Sequence, residues 1–175
     1  EQRLTRNFTA NPEAYQHYLL GRFHWNKRTK ADLYRAIEHY SQAVRADPNY
    51  AIAYSGLADA YTILQGYDKS VSPLASHSKA REYASKALSL DDTLSEAHVS
   101  YGLVIQSVDF DFAGAEREFK RAIELDPKNA GAYFYFALLL TCLGRFDEAE
   151  ANFRHALQLE PASQNANRNY GNFLM

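Results

Sequence analysis

The sequence contains almost no cysteine, and this restricts the chemistry that is open to it. Cys142 is the only cysteine among 175 residues, so no disulfide can form within the chain. A lone thiol is typical of proteins from a reducing compartment, or is simply a neutral side chain. We therefore expect a cytoplasmic protein.

A surplus of charge of either sign is also missing. The chain carries 19 basic and 21 acidic residues, which gives a formal net charge of -2. Proteins that neutralise a phosphate backbone use an excess of Lys and Arg on one face. We therefore expect no nucleic-acid partner for this segment.

Long apolar runs and an export signal are absent as well. No apolar stretch approaches the roughly 18 residues that a membrane span requires, and the first residues, EQRLTRNFTANPEA, lack the charged-then-apolar order of a signal peptide. We expect no membrane partner. The chain also begins without Met, which indicates a piece of a larger protein.

Signatures of catalysis are missing too, since there is no phosphate-binding glycine loop and no nucleophile elbow. His17 and His24 lie seven residues apart on one predicted helix, about 10 Å along its axis, which is too far for both to ligate one zinc ion. Asp109 and Asp111 can be drawn as an acid–base pair, but Asp111 also suits the N-cap of the next helix. We predict that the chain is not an enzyme and holds no metal or cofactor.

What the sequence does contain is a repeat of 34 residues. The stretch FAGAEREFKRAIELDP (112–127) returns as FDEAEANFRHALQLEP (146–161), and related copies are YRAIEHYSQAVRADP (34–48) and SKAREYASKALSLDD (78–92). Each copy is followed by a second amphipathic pattern, which pairs a large residue with a small one. Each unit is therefore a pair of helices, and stacked units of this period form a solenoid.

The repeat sets the predicted organisation, a single array over residues 1–175. We predict helices near 12–27, 31–46, 50–65, 74–90, 94–107, 112–125, 129–142, 146–159 and 163–174. The units span about 14–50, 51–94, 95–129 and 130–163, and the first helix of a fifth unit spans 164–175. Unit two is ten residues longer than 34, and we assign the extra length to a loop at 65–78. The fifth unit lacks its second helix, so we expect the natural protein to continue, and we expect Phe173 and Met175 to lie uncovered and to support weak self-association.

These patterns resemble the tetratricopeptide repeat (TPR). The large–small pair of the first TPR helix is found at Leu20-Gly21, Leu57-Ala58, Tyr101-Gly102, Phe136-Ala137 and Tyr170-Gly171. The resemblance implies an all-α fold, a right-handed superhelical array of antiparallel helix pairs, with the first helices on its concave side. The stretches NPEAYQHYLLGRFHWNKRT and DFDFAGAEREFKRAIELDP also resemble the C-terminal TPR region of bacterial multidomain signalling proteins, where it follows a winged-helix regulator or a serine/threonine kinase domain.

The resemblance implies a function in protein–protein interaction, with a peptide held in the concave groove. The candidate peptide-binding residues are the first-helix positions that the packing pattern leaves unused. They are Tyr15, Tyr18, Arg22, Trp25, Asn26, Ile52, Ser55, Asp59, Thr62, Glu96, Val99, Leu103, Phe134 and Leu138. This set is more apolar and aromatic than a solvated face requires, so we expect an apolar or aromatic peptide or protein segment. We also expect Tyr18, Trp25 and Phe134 to be dispensable for folding.

Two interpretations of the groove stay open, and one familiar specificity is disfavoured. The alternative to a recognition module is a structural or oligomerisation spacer of a larger bacterial signalling protein, with its groove covered in cis. TPR modules that hold chaperone tails use a two-carboxylate clamp of Lys, Asn and Arg. The corresponding positions here are Tyr18, Arg22, Gly56, Glu96 and Ser100, so that clamp is absent.

Overall fold

The protein folds into α-helices along its described length. The computed structural model describes residues 9–175. Residues 1–8 lie outside the described range, and they are part of the segment that we expect to lack an export signal. The helices are α1 (Pro12–Lys27), α2 (Lys30–Ala46), α3 (Ala51–Tyr67), α4 (Pro73–Leu90), α5 (Ser95–Val104), α6 (Phe112–Leu125), α7 (Ala130–Cys142), α8 (Phe146–Leu159) and α9 (Gln164–Phe173). A π-helical turn, Ile105–Asp109, extends α5, and residues 9–175 contain no strand. The predicted helices agree with these bounds to within about two residues, apart from the π-helical extension of α5.

Consecutive helices pack as antiparallel pairs, α1 with α2, α3 with α4, α5 with α6 and α7 with α8, and α9 packs on α8. The pairs stack in chain order into a right-handed superhelical array. The first helices also contact one another in succession, α1 with α3, α3 with α5 and α5 with α7. These first helices therefore form a continuous inner layer.

An aspartate ends the second helix of each of the first three pairs. Asp47, Asp91 and Asp126 each donate a backbone N–H to the carbonyl four residues earlier. Each also accepts, through its carboxylate, the N–H two residues later, at 3.0, 2.9 and 3.1 Å respectively. This side-chain hydrogen bond gives the backbone N–H in the turn an acceptor, which the helix no longer provides after its last turn. The repeated Asp therefore stops one helix and redirects the chain into the next pair.

The core is built from the repeated aromatic position of the second helices. Tyr40, Phe119 and Phe153 are almost completely buried, as their periodic spacing predicts. A β-carbon added at Gly21 or at Gly56 would lie 2.5 or 2.6 Å from the Tyr40 ring. Both glycines therefore let α1 and α3 close on that ring, and a side chain at either position would force the layers apart.

The loop predicted at 65–78 is too long, and it overlaps the helix predicted near 74–90, which the structure supports. Helix α3 continues to Tyr67, and α4 begins at Pro73, which leaves residues 68–72 between them. Pro73 fits the first turn of a helix, and the Ser72 hydroxyl accepts the N–H of Ala75. The carboxylate of Asp68 accepts hydrogen bonds from Tyr34 and Ser70 and pairs with Lys30. Compared with unit four, α3 and α4 are each four residues longer and the turn between them is two residues longer, which accounts for the ten extra residues.

The two carboxylates considered for acid–base chemistry have structural partners. Asp109 pairs with Arg81 of α4. Asp111 accepts the N–H of Gly114 at 2.8 Å and caps α6, as its position predicts. Each carboxylate is therefore accounted for by its local fold.

The C-terminal helix is better covered than its sequence suggests. The expectation that Phe173 lies uncovered is wrong: the ring contacts those of Phe146 and Phe153, with centroids 6.3 and 5.4 Å away. Leu174 and Met175 remain 60% and 98% exposed. The apolar surface at this end therefore comes from the last two residues and from Phe146, which is 59% exposed.

Candidate functional site

The concave face contains a cavity of about 760 Å³, which we call the groove. Its lining comes from the inner helices α1, α3, α5, α7 and α9, from the turns that follow α1 and precede α7 and α9, and from Tyr40 of α2 and Ala156 and Leu159 of α8. The volume lies in the range of ligand-binding clefts. Ten of the predicted site residues line it: Tyr18, Arg22, Trp25, Asn26, Ile52, Ser55, Asp59, Glu96, Val99 and Phe134.

The other four predicted residues, Tyr15, Thr62, Leu103 and Leu138, do not line the groove. Thr62 is buried, and its hydroxyl donates to the carbonyl of Ala58 at 2.7 Å. Leu103 is also buried, Leu138 packs partly buried against its neighbours, and Tyr15 is half-buried. The structure thus brings together most, but not all, of the predicted set.

The expectation that the aromatic groove residues take no part in packing is wrong. Tyr18, Trp25 and Phe134 are only 7%, 7% and 6% exposed. Tyr18 contacts the Tyr40 ring, with centroids 6.0 Å apart, and Phe134 contacts the Phe153 ring at 6.2 Å. Tyr40 and Phe153 lie on the second helix of the same pair, so these inner side chains also pack against the outer layer. These rings belong to the core and present only an edge to the groove.

Charged side chains occupy the wall that unit one contributes to the groove. Arg22 is exposed and donates to the Tyr18 hydroxyl at 3.1 Å. The Arg28 guanidinium stacks over the Trp25 ring at 3.7 Å, a cation–π contact. In residues 9–175, no ion pair within 4.0 Å engages either arginine. Both guanidiniums therefore keep unused donors.

Arg28 and Tyr135 are groove residues that the sequence prediction missed. Arg28 ends α1 with a left-handed backbone, φ 53°, and its Nη2 reaches the Tyr135 hydroxyl of α7 at 3.5 Å. The contact joins residues 107 positions apart. The sequence offered a partial signal for Arg28, because it follows Trp25 by three residues and a cation there can stack on the ring. Nothing in the repeat pattern indicated Tyr135.

Two carboxyl groups, Asp59 of α3 and Glu96 of α5, lie on the groove floor. Burial raises the pKa of Asp59 to about 6, and Glu96 raises it further, although Ser100, Arg28 and Arg22 act in the opposite direction. Burial also raises the pKa of Glu96, with contributions from Asp126 and Asp91. Both groups are therefore harder to ionise than ordinary carboxyl groups.

A histidine cluster lies away from the groove, between α1 and α2. The His39 ring stacks between those of His17 and His24, with both centroid distances 5.5 Å. Nδ1 of His24 lies 2.8 Å from Asp32, and hydrogen bonds from His24 and Thr29 lower the pKa of that carboxyl to about 2. Within residues 9–175, no three or more His, Cys, Asp or Glu side chains are placed to hold a metal ion. The sequence pattern paired His17 with His24 alone and missed the ring between them.

The helices are too short or too polar for a bilayer. Across the described range, none has both the length and the apolar character needed to span one.

Comparisons with known proteins identify the fold. Residues 118–151 match the family model described as tetratricopeptide repeat. A thermophilic TPR protein from Thermus thermophilus is similar to the chain with a TM-score of 0.72 and 23% identity, over 94% of this chain and 83% of that one. No curated protein matches the sequence.

Two further solved structures concern peptide binding. The first TPR of Spaghetti (RPAP3), bound to the HSP90 peptide SRMEEVD, has a TM-score of 0.55 and 18% identity, over 78% of this chain and 97% of that one. YrrB, described as a TPR protein with an unusual peptide-binding site, has a TM-score of 0.50 and 22% identity, over 91% and 75%. The chain is therefore a tetratricopeptide-repeat solenoid in its fold, and residues 118–151 carry the sequence signature of that family.

Proposed function

We propose that the chain is a protein-interaction scaffold, without catalytic activity, that holds a segment of another protein in its groove. The observation that carries this proposal is the groove itself, a cavity of about 760 Å³ to which every inner helix contributes. Apolar side chains such as Ile52 and Val99 supply its walls, and the aromatic edges of Tyr18, Trp25 and Phe134 provide apolar contact. An extended or helical segment with apolar or aromatic side chains fits such a surface.

A groove-filling substitution tests this proposal. Random dodecapeptides displayed on phage are selected on the wild-type protein and then measured against Asn26→Trp. Asn26 is exposed and lines the groove, so the new indole occupies space without displacing a buried side chain. Lys86→Trp, on the exposed surface of α4, is the matched control.

The proposal expects the selected peptides to lose binding to Asn26→Trp and to keep it for Lys86→Trp. Selection of no peptide, or equal binding to both variants, would refute it.

A second candidate is a spacer within a larger cytoplasmic signalling protein of bacterial origin, with its groove covered in cis. The contact between Arg28 and Tyr135 favours this candidate, because it joins α1 to α7 and occupies part of the groove that a peptide would need. The same selection separates the two, since a groove that is permanently covered selects no peptide in the full-length protein but selects peptides in this segment.

A further inference from the structure

The groove floor contains an oxygen atom whose hydrogen-bonding capacity is unused. Oδ1 of Asp59 is buried and has no hydrogen-bond partner in the described part of the chain. The Ser100 hydroxyl also acts on this carboxyl group, but its single proton is donated to the carbonyl of Ser55 at 3.3 Å, and the buried Ser55 hydroxyl has no hydrogen-bond partner in the described residues either. A buried polar atom without a partner is rare and costs free energy, so its presence at a cavity points to a ligand.

The arginines of the groove do not supply the missing partner. Arg22 donates to the Tyr18 hydroxyl, and Arg28 is held by the Trp25 ring. Neither forms an ion pair within 4.0 Å with Asp59 in the described structure.

The positive charge around the two carboxyl groups does not offset their burial: Arg28 and Arg22 lower the pKa of Asp59, and Arg22 lowers that of Glu96, yet both pKa values stay raised. The carboxyl group of Glu96 disfavours ionisation of Asp59, and Asp126 and Asp91 disfavour ionisation of Glu96. A raised carboxyl pKa means that the protein stabilises the charged form less than water does. The groove floor therefore has too few cationic groups to compensate the two carboxylates for their burial.

We infer that the groove floor is a subsite for a basic side chain of the bound segment, with Lys or Arg placed between Asp59 and Glu96. A single cationic group there supplies hydrogen bonds to Asp59 and lies between two carboxylates that come from adjacent inner helices. The apolar contacts of the walls hold the rest of the segment. This inference rests on the proposed function, and it adds the chemistry that selects the partner.

The test uses the same display library of random dodecapeptides, now selected in parallel on the wild type, Asp59→Asn and Glu96→Gln. Glu124→Gln is the matched control, because Glu124 is exposed on α6 and forms a surface ion pair with Arg121. We expect Lys or Arg to be enriched at one position with the wild type and the control. That enrichment disappears with Asp59→Asn and falls with Glu96→Gln.

A change in the peptide tests the same subsite without altering the protein. The most enriched peptide is resynthesised with norleucine, which removes the charge, in place of its Lys, or with citrulline in place of its Arg. We expect binding to weaken at least about tenfold at pH 7.5, because charge-assisted hydrogen bonds are lost. This comparison holds even if a variant folds poorly.

The outcomes distinguish the inference from the function on which it rests. Selection of groove-binding peptides without a preference for Lys or Arg would overturn the inference and leave the scaffold function intact. A preference for acidic residues, which would indicate binding to Arg22 and Arg28, would have the same meaning. Failure to select any groove-binding peptide overturns the scaffold function itself.

Discussion

Replacing Asp59 by Asn should make the protein more stable at neutral pH, by an amount that grows as pH rises. The ordinary pKa of the Asp side chain, 3.8, applies to the unfolded chain, and the folded value is about 6. The folded state therefore holds this proton more tightly than the unfolded state. The contribution of the group to stability is complete below pH 3.8 and is lost as pH rises towards and through about 6.

The size of this loss follows from the difference of about two pKa units, each of which corresponds to about 1.4 kcal/mol. At pH 7.5 the wild-type Asp59 should therefore lower the free energy of unfolding by about 3 kcal/mol, relative to a group that is always neutral. Asn has nearly the same shape and no charge. The hydrogen bonds of the Asn amide should change the free energy of unfolding by the same amount at every pH. The informative quantity is therefore how the difference between variant and wild type changes with pH.

The assay is urea unfolding followed by circular dichroism at several values between pH 4.5 and pH 7.5. The difference in unfolding free energy, Asp59→Asn minus wild type, should rise by about 2 kcal/mol over this interval. Asp92→Asn, at an exposed turn position, is the control and should show no such rise. A flat or falling difference for Asp59→Asn would mean that Arg22 and Arg28 already compensate the carboxylate, and it would refute the reasoning.

Two other predictions follow from packing. Gly56→Ala should destabilise the protein by about 1–3 kcal/mol, because its β-carbon would lie 2.6 Å from the Tyr40 ring. Gly66→Ala is the control: it has no atom within 4 Å, so it should be neutral or stabilise α3 by up to about 1 kcal/mol. Equal shifts in melting temperature for the two variants would contradict the close approach. Sedimentation over a wide concentration range should show weak self-association that is lost when Leu174 and Met175 are both replaced by Ser, and a monomer at all concentrations would contradict it.

The fold could be predicted from the sequence because its signals are local and repeated. The buried ring at Tyr40 recurs as Phe119 and Phe153, and the fourth copy has the buried Ala84 at the same position, so this position indicated the buried helix face in every copy. The loop at 65–78 was predicted too long, because the number of residues beyond the 34-residue repeat does not show where in the unit they are inserted. Ser72 and Pro73, an N-cap followed by a proline, carried the correct signal for a helix start.

The groove was predicted less well, because side-chain exposure depends on the curvature of the whole array. The repeat register identified Arg22, Asp59 and Glu96 as inward-facing, and these three residues line the cavity. The same register could not show that Trp25 is buried by its neighbours, nor that Tyr135 faces Arg28 across 107 residues. Such contacts arise from the superhelical path, which no single repeat specifies.

The contact between Arg28 and Tyr135 has a consequence for how the array unfolds. In an open solenoid each unit touches only its sequence neighbours, so end units can fray while the middle stays folded. Here the first helix pair is linked to the fourth directly, across the groove. Loss of α7 therefore removes a contact from α1, and the free energies of opening at these two places are coupled. We expect this coupling to amount to about 1 kcal/mol, the net contribution of one such hydrogen bond.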